Sequence, residues 1–228
     1  MKRRAAILIS GRGSNMVALL EAAARDAGYP AEFALVLSNR ADAAGLGRAR
    51  GFGVPTAVVE SRPFRGDRAG FEAAMERALA EHRIELIALA GFMRVLTEGF
   101  VRRWEGRLVN IHPSLLPAFP GLDTHARALA AGVRLHGCSV HLVSPGVDEG
   151  PILAQAAVPV LEGDTPESLA ARVLAQEHRI FPAAFAWVAA GRVTVSEGRA
   201  RIAGAAGAAA EALLNPLPGP AALPTPGP

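Results

Sequence analysis

At 228 residues, half of them hydrophobic, the chain is long enough for one well-packed domain, and its net charge is only +3. Lys2 is the sole lysine, and the arginines are scattered without a basic stripe or interleaved aromatics, which argues against nucleic acid as a partner. No apolar run suits a membrane span or a secretory signal, and Cys138, the only cysteine, rules out an internal disulfide, so a cytoplasmic protein is expected.

Apolar strands then alternate with helical stretches. Residues 5–9 form a short apolar run, followed by a glycine turn and helical periodicity over 15–24. Residues 33–37 read as a second strand, 41–50 as a helix with Asp42 suited to its N-cap, and 56–59 as a third strand. A helix is expected over 70–81, a strand covered on both faces over 86–90, and a fifth strand over 107–111. After Gly132 the pattern changes. Residues 138–143 alternate, with Ser139, His141 and Val143 on one face, as in a half-buried strand; a turn-rich loop over 145–151 leads to an apolar strand over 152–160. Thr165 and Pro166 open a long helix reaching about Trp187, and a short hairpin spans 193–202 around Glu197-Gly198. The Ala-, Gly- and Pro-rich remainder, 204–228, reads as a disordered tail. The implied fold is α/β: a Rossmann-like, mostly parallel twisted sheet with helices on both faces, and antiparallel strands added in the C-terminal half. Ligands should collect at the carboxyl ends of its strands.

Three loops sit at such ends. Ser10-Gly11-Arg12-Gly13-Ser14-Asn15 could turn tightly and present N–H groups to a phosphate at a helix N-terminus, or be only a strand-to-helix turn. It lacks the Gly-Lys-Ser/Thr of triphosphate loops and, at Met16, the third glycine of dinucleotide loops; no acid follows the second strand to hold a ribose. The loop Gly91-Phe92-Met93-Arg94-Val95-Leu96 is apolar beyond its strand, which suits a flat heteroaromatic ring or packing beneath the next helix. Asn110-Ile111-His112-Pro113-Ser114-Leu115-Leu116-Pro117 puts an amide and an imidazole on one face of a strand end, stiffened by prolines. They would either stabilise an oxyanion or cap local backbone groups. Asp148 or Glu149, on a glycine-flanked loop, would keep such a histidine charged. His136 and His141 fall on opposite faces and no metal-ligand spacing occurs, so no metal is expected; Ser114 lacks a nucleophile elbow.

Residues 10–15, Ala90 to Arg94, Asn110 to Pro117 and Gln176-Glu177-His178 together resemble the phosphoribosylglycinamide formyltransferases, folate-dependent enzymes of purine synthesis. The resemblance runs from about Arg4 to Ile202 and implies one formyltransferase domain over 1–203: a phosphate-binding, Rossmann-like half (1–111) and a folate-binding, catalytic-loop half (112–203). It implies Gly13, Ser14 and Asn15 on the substrate phosphate and Glu177 on its ribose. Arg68, Met93, Arg94, Val95, Leu96 and Asn110 would receive 10-formyltetrahydrofolate as co-substrate. His112 becomes the catalytic acid, Asn110 a second donor, and Asp148, in place of Glu149, the carboxylate partner of His112. Asp123 is given no role beyond capping a helix at Thr124. The implied partners are glycinamide ribonucleotide and folate, in a monomer or homodimer.

The amine would attack the formyl carbon, with the oxyanion near Asn110 and protonated His112, needing neither metal nor covalent enzyme intermediate. A formyltransferase acting on another amine, such as an aminoacyl-tRNA, would share the catalytic strand but should carry a nucleic-acid-binding domain, and nothing foldable follows Ile202. A non-catalytic nucleotide-binding module would use only the 11–15 loop.

Overall fold

Alternate residues of the first strand, β1 (Arg3–Ile9), face opposite helical layers. Ala5, Ile7 and Ile9 join one core with α1 (Ser14–Arg25), α2 (Ala44–Gly51) and the long α6 (Pro166–Ala189). Ala6 and Leu8 join a second core with α3 (Arg68–Glu81) and α4 (Glu98–Arg103). A strand buried on both faces has no need of polar alternation, which is why β1 reads as a continuous apolar run. Phe181 and Phe185 of α6 are fully buried, and Phe185 stacks on Phe33 at 5.5 Å; burying each ring contributes about 2 to 3 kcal/mol. The helix begins as expected: Thr165 and Ser168 exchange side-chain bonds with each other's backbone N–H, and Pro166 takes the first turn. The computed structural model describes residues 2–204 and Asn215.

The remaining strands are β2 (Ala31–Ser38), β3 (Thr56–Val58), β4 (Leu86–Leu89), β5 (Leu108–His112), β6 (Leu135–Leu142) and β7 (Ile152–Pro159). They form one sheet in the order β3-β2-β1-β4-β5-β6-β7. Pairing is parallel from β3 through β5 and antiparallel for β5-β6-β7, as the sequence implied. The chain reverses its direction of travel across the sheet between β1 and β4. Loops leaving those neighbours therefore diverge to opposite faces and open a crevice at their carboxyl ends. Residues 10–15 and 91–96 are these two loops. A separate hairpin, β8 (Val193–Ser196) with β9 (Arg199–Ile202), matches the expected one.

Four local expectations change. Helix α2 starts two residues beyond Asp42, at an Ala43 cap, because Asp42 is held instead by a two-pronged bond from Arg40 at 2.7 and 2.9 Å. Asp123 does precede a helix, α5 (Thr124–Ala130), but its left-handed backbone (φ 55°) leaves the side chain without a capping bond. Strand β6 is buried on both faces, since loops, not water, cover its polar face. Helices α4 and α5, of six and seven residues, were expected only as a helix after the 91–96 loop and one opening at Thr124, without bounds, because each is shorter than two turns and shows no period. The expected tail lies outside the described residues apart from Gly204 and Asn215. Among the described residues no helix is long and apolar enough to cross a membrane.

Candidate active site

Antiparallel register puts Asn110 of β5 directly opposite His141 of β6, and His112 opposite Ser139, so all four side chains share one face. The Asn110 amide nitrogen lies 3.1 Å from His141 Nε2. His141 Nδ1 donates to the Leu142 carbonyl at 2.9 Å, so the neutral ring accepts from Asn110 and fixes how the amide points. Ser139 and Gln155 hold the loop beyond the strand. Ser139 Oγ donates to Ser114 O at 2.7 Å and accepts from Leu116 N at 3.0 Å, while Gln155 Nε2 donates to Leu116 O at 2.9 Å.

The other wall is the loop between β6 and β7. Asp148 stands there in a left-handed conformation (φ 57°) and reaches both histidines: Oδ2 lies 3.3 Å from His112 Nδ1, and Oδ1 lies 3.7 Å from His141 Nε2. Oδ2 also accepts from Gly121 N at 2.9 Å, and His112 Nε2 donates to Phe119 O at 3.0 Å. Burial raises the Asp148 pKa, but the nearby His141, the hydrogen bond from Gly121 and the neighbouring His112 outweigh it and hold the carboxyl below its ordinary value. Glu149, the other acid weighed, is exposed. Beside Phe119 lies a second histidine pair: His136 meets the edges of Phe119 and His125 at 5.9 and 5.2 Å, and neither of its nitrogens has a hydrogen-bond partner among the described residues. Burial, then the neighbouring His125, pushes His136 down to about 4.

Gly13, at φ 71°, is the N-cap of α1, so Ser14 and Asn15 begin the helix with free N–H groups directed outward, as an anion cradle requires. Asn15 Nδ2 donates to Glu177 Oε2 of α6 at 2.6 Å, across 162 residues. Both are buried, and burial raises the Glu177 carboxyl above its ordinary value against the Asn15 bond. Gly45 of α2 abuts the cradle, its N–H donating to Gly11 O at 3.0 Å. A cavity of about 740 Å³ includes residues 10–15, Met93 and Arg94, but not Asn110, His112 or Asp148, which lie outside its lining.

The loop after β4 is held at both ends. Met93 N donates to Ser10 Oγ at 2.7 Å, and Thr97 N donates to the Glu72 carboxylate of α3 at 2.6 Å. Between them Met93 and Val95 are 64% and 62% exposed, while Leu96 packs on the second core, so the loop offers an apolar surface and is not simply tucked under α4. Arg68, at the exposed start of α3, lies one turn before Glu72 and makes no side-chain hydrogen bond or ion pair among the described residues.

The sequence pattern of the family described as formyl transferase matches residues 3–185. The chain belongs to that family. The phosphoribosylglycinamide formyltransferase of Escherichia coli is 42% identical over 198 residues, 87% of this chain and 92% of the relative. The crystal structure of glycinamide ribonucleotide transformylase 1 from Symbiobacterium toebii superposes with a TM-score of 0.84 at 47% identity, covering 88% of this chain and 94% of that one. The trifunctional purine biosynthetic protein adenosine-3 of Gallus gallus is 49% identical over 196 residues, 86% of this chain, but the match spans only 19% of that longer protein.

For a formyl transferase the arrangement has a clear chemical capacity: a charge-paired imidazole and an oriented amide on one strand end, beside a loop able to face a ring. His141, Phe119 and Gly45 were not anticipated as parts of it, and Ser10 was read only as the start of the phosphate turn. His141 was legible as sharing a face with Ser139, and the register with Asn110 would have completed the inference. Phe119 and Gly45 act through backbone or small-residue contacts that leave no mark in composition.

Proposed function

We infer that the chain transfers the formyl group from 10-formyltetrahydrofolate to the amine of glycinamide ribonucleotide, giving formylglycinamide ribonucleotide and tetrahydrofolate in de novo purine synthesis. The observation carrying this reading is Asp148, placed between His112 and His141 while His141 orients Asn110. The amine nitrogen bonds to the formyl carbon as the carbonyl π pair moves to oxygen; the bond to the folate nitrogen then breaks, and the amine proton passes to that nitrogen. Asn110 donates to the developing oxyanion through its remaining N–H. His112, paired with Asp148, donates to it as well, the oxygen competing with the Phe119 carbonyl for Nε2–H. Each such donor contributes on the order of 3 to 4 kcal/mol.

Gly13, Ser14 and Asn15 hold the phosphate and Glu177 the ribose in this reading; Arg68, Met93, Arg94, Val95 and Leu96, with Asn110, receive the folate, within one domain over 1–203 acting in the cytoplasm. A spectroscopic transfer assay with both substrates tests it. Turnover should be measurable and should fall by about a hundredfold or more in His112→Ala while both substrates still bind. No transfer by the unaltered chain would refute the function, and near-normal turnover in the variant would refute the role of His112.

A further inference from the structure

Ser10 stands where the sheet reverses, between the phosphate cradle that begins at Gly11 and the folate loop that follows β4. It is 9% exposed, and its N–H and its hydroxyl are both engaged. Its N–H donates to Gly91 O at 3.1 Å; its Oγ accepts from Met93 N at 2.7 Å and donates to Asn39 Oδ1 at 2.6 Å. Asn39, 6% exposed at the end of β2, is anchored in turn to Ser61, whose N–H it accepts at 3.2 Å and whose Oγ it faces at 3.3 Å. A hydroxyl has one proton to give, and Asn39 takes it, which turns a lone pair of Oγ toward Met93.

The folate loop depends on that bond. Phe92 and Leu96 pack on the second core, but Met93 and Val95 are exposed and supply little packing of their own. The main chain is bonded to Ser10 at Gly91 and Met93 and to Glu72 at Thr97. One residue therefore belongs to both loops at once.

We propose that Ser10, oriented by Asn39, is a positioning residue that couples the phosphate-binding turn to the folate-binding loop, so that each substrate tightens the other's binding. The inference rests on the function proposed above. Anything that settles the cradle settles Ser10 Oγ, and with it the Met93 N–H; by reciprocity the folate settles the cradle.

Tetrahydrofolate and glycinamide ribonucleotide cannot react with each other, so calorimetric titration of one with and without a saturating concentration of the other reads the coupling directly. The unaltered chain should show about fivefold or greater mutual tightening. In Ser10→Ala the factor should fall to about one, with KM rising for both substrates more than kcat falls. Asn39→Asp keeps an acceptor for the Ser10 hydroxyl and should keep the coupling, whereas Asn39→Leu should lose it; these two read the relay even if Ser10→Ala folds poorly. Binding of both ligands without coupling, or coupling that survives both Ser10→Ala and Asn39→Leu, overturns the proposal alone. Failure of the unaltered chain to bind either ligand overturns the proposed function and this inference with it.

Discussion

Asp148 meets His112 through Oδ2 and Nδ1 at 3.3 Å, with the two side chains only 12% and 7% exposed. Replacing the carboxylate by an amide of the same shape keeps an acceptor for Gly121 and removes the negative charge that faces the imidazole. Asp148→Asn should lower turnover by about 10² to 10³ and lower the melting temperature at neutral pH more than at about pH 3. The carboxyl is held below its ordinary value, so its contribution to stability is full above about pH 4 and lost as the pH falls through the folded pKa. Denaturant titrations should therefore show a flatter acid limb in the variant.

Gly150 fixes where that carboxylate stands. A Cβ there would lie 1.7 Å from the Leu142 carbonyl oxygen, a backbone atom that cannot step aside. Gly150→Ala should push the loop outward and cut turnover by about a hundredfold. Gly146→Ala is the control, since the atom it meets at 2.0 Å is the mobile carboxylate end of Glu149. Equal activity of the two variants would contradict the argument.

At the phosphate cradle the critical small residue is Gly45. An added methyl would come within 2.5 Å of Ile9 Cδ1 and 3.1 Å of Gly11 O. Gly45→Ala should raise KM for the phosphorylated amine by about tenfold and leave KM for folate less affected, as steady-state kinetics would reveal.

His136 gives the fold a pH dependence of its own. The unfolded chain takes up its proton near pH 6.5, the folded chain only near 4, because a charged imidazole would be buried beside His125. Between those values the unfolded state binds more protons, so stability falls as the pH drops through this window. His136→Phe keeps an aromatic edge against Phe119 and should lose less of its denaturation midpoint between about pH 7.5 and about pH 5 than the parent chain.

The parts of the site that sequence reasoning reached are contiguous stretches whose chemistry is local: the glycine turn at 11–15 and the strand end at Asn110 to His112. The central strands were legible as apolar segments because a doubly covered strand must be apolar, whereas their order in the sheet came only with the structure. Asp148 and Glu149 could not be separated by spacing, since only the left-handed backbone at 148 aims one of them inward. Asn15 and Glu177 meet through the packing of α1 on α6, and Ser10 meets Asn39 through the pairing of β1 with β2; neither contact has a local signature. Asp42 misled because an acid before a helix suits a cap, while a salt-bridged arginine two residues away satisfied it more strongly.

The turn from Phe119 to Gly121 offers the pair it covers one carbonyl and one N–H, the carbonyl to His112 and the N–H to Asp148. An acceptor faces the imidazole and a donor faces the carboxylate. Those fixed dipoles match what each side chain offers, so the two are oriented toward one another by the backbone before any substrate arrives.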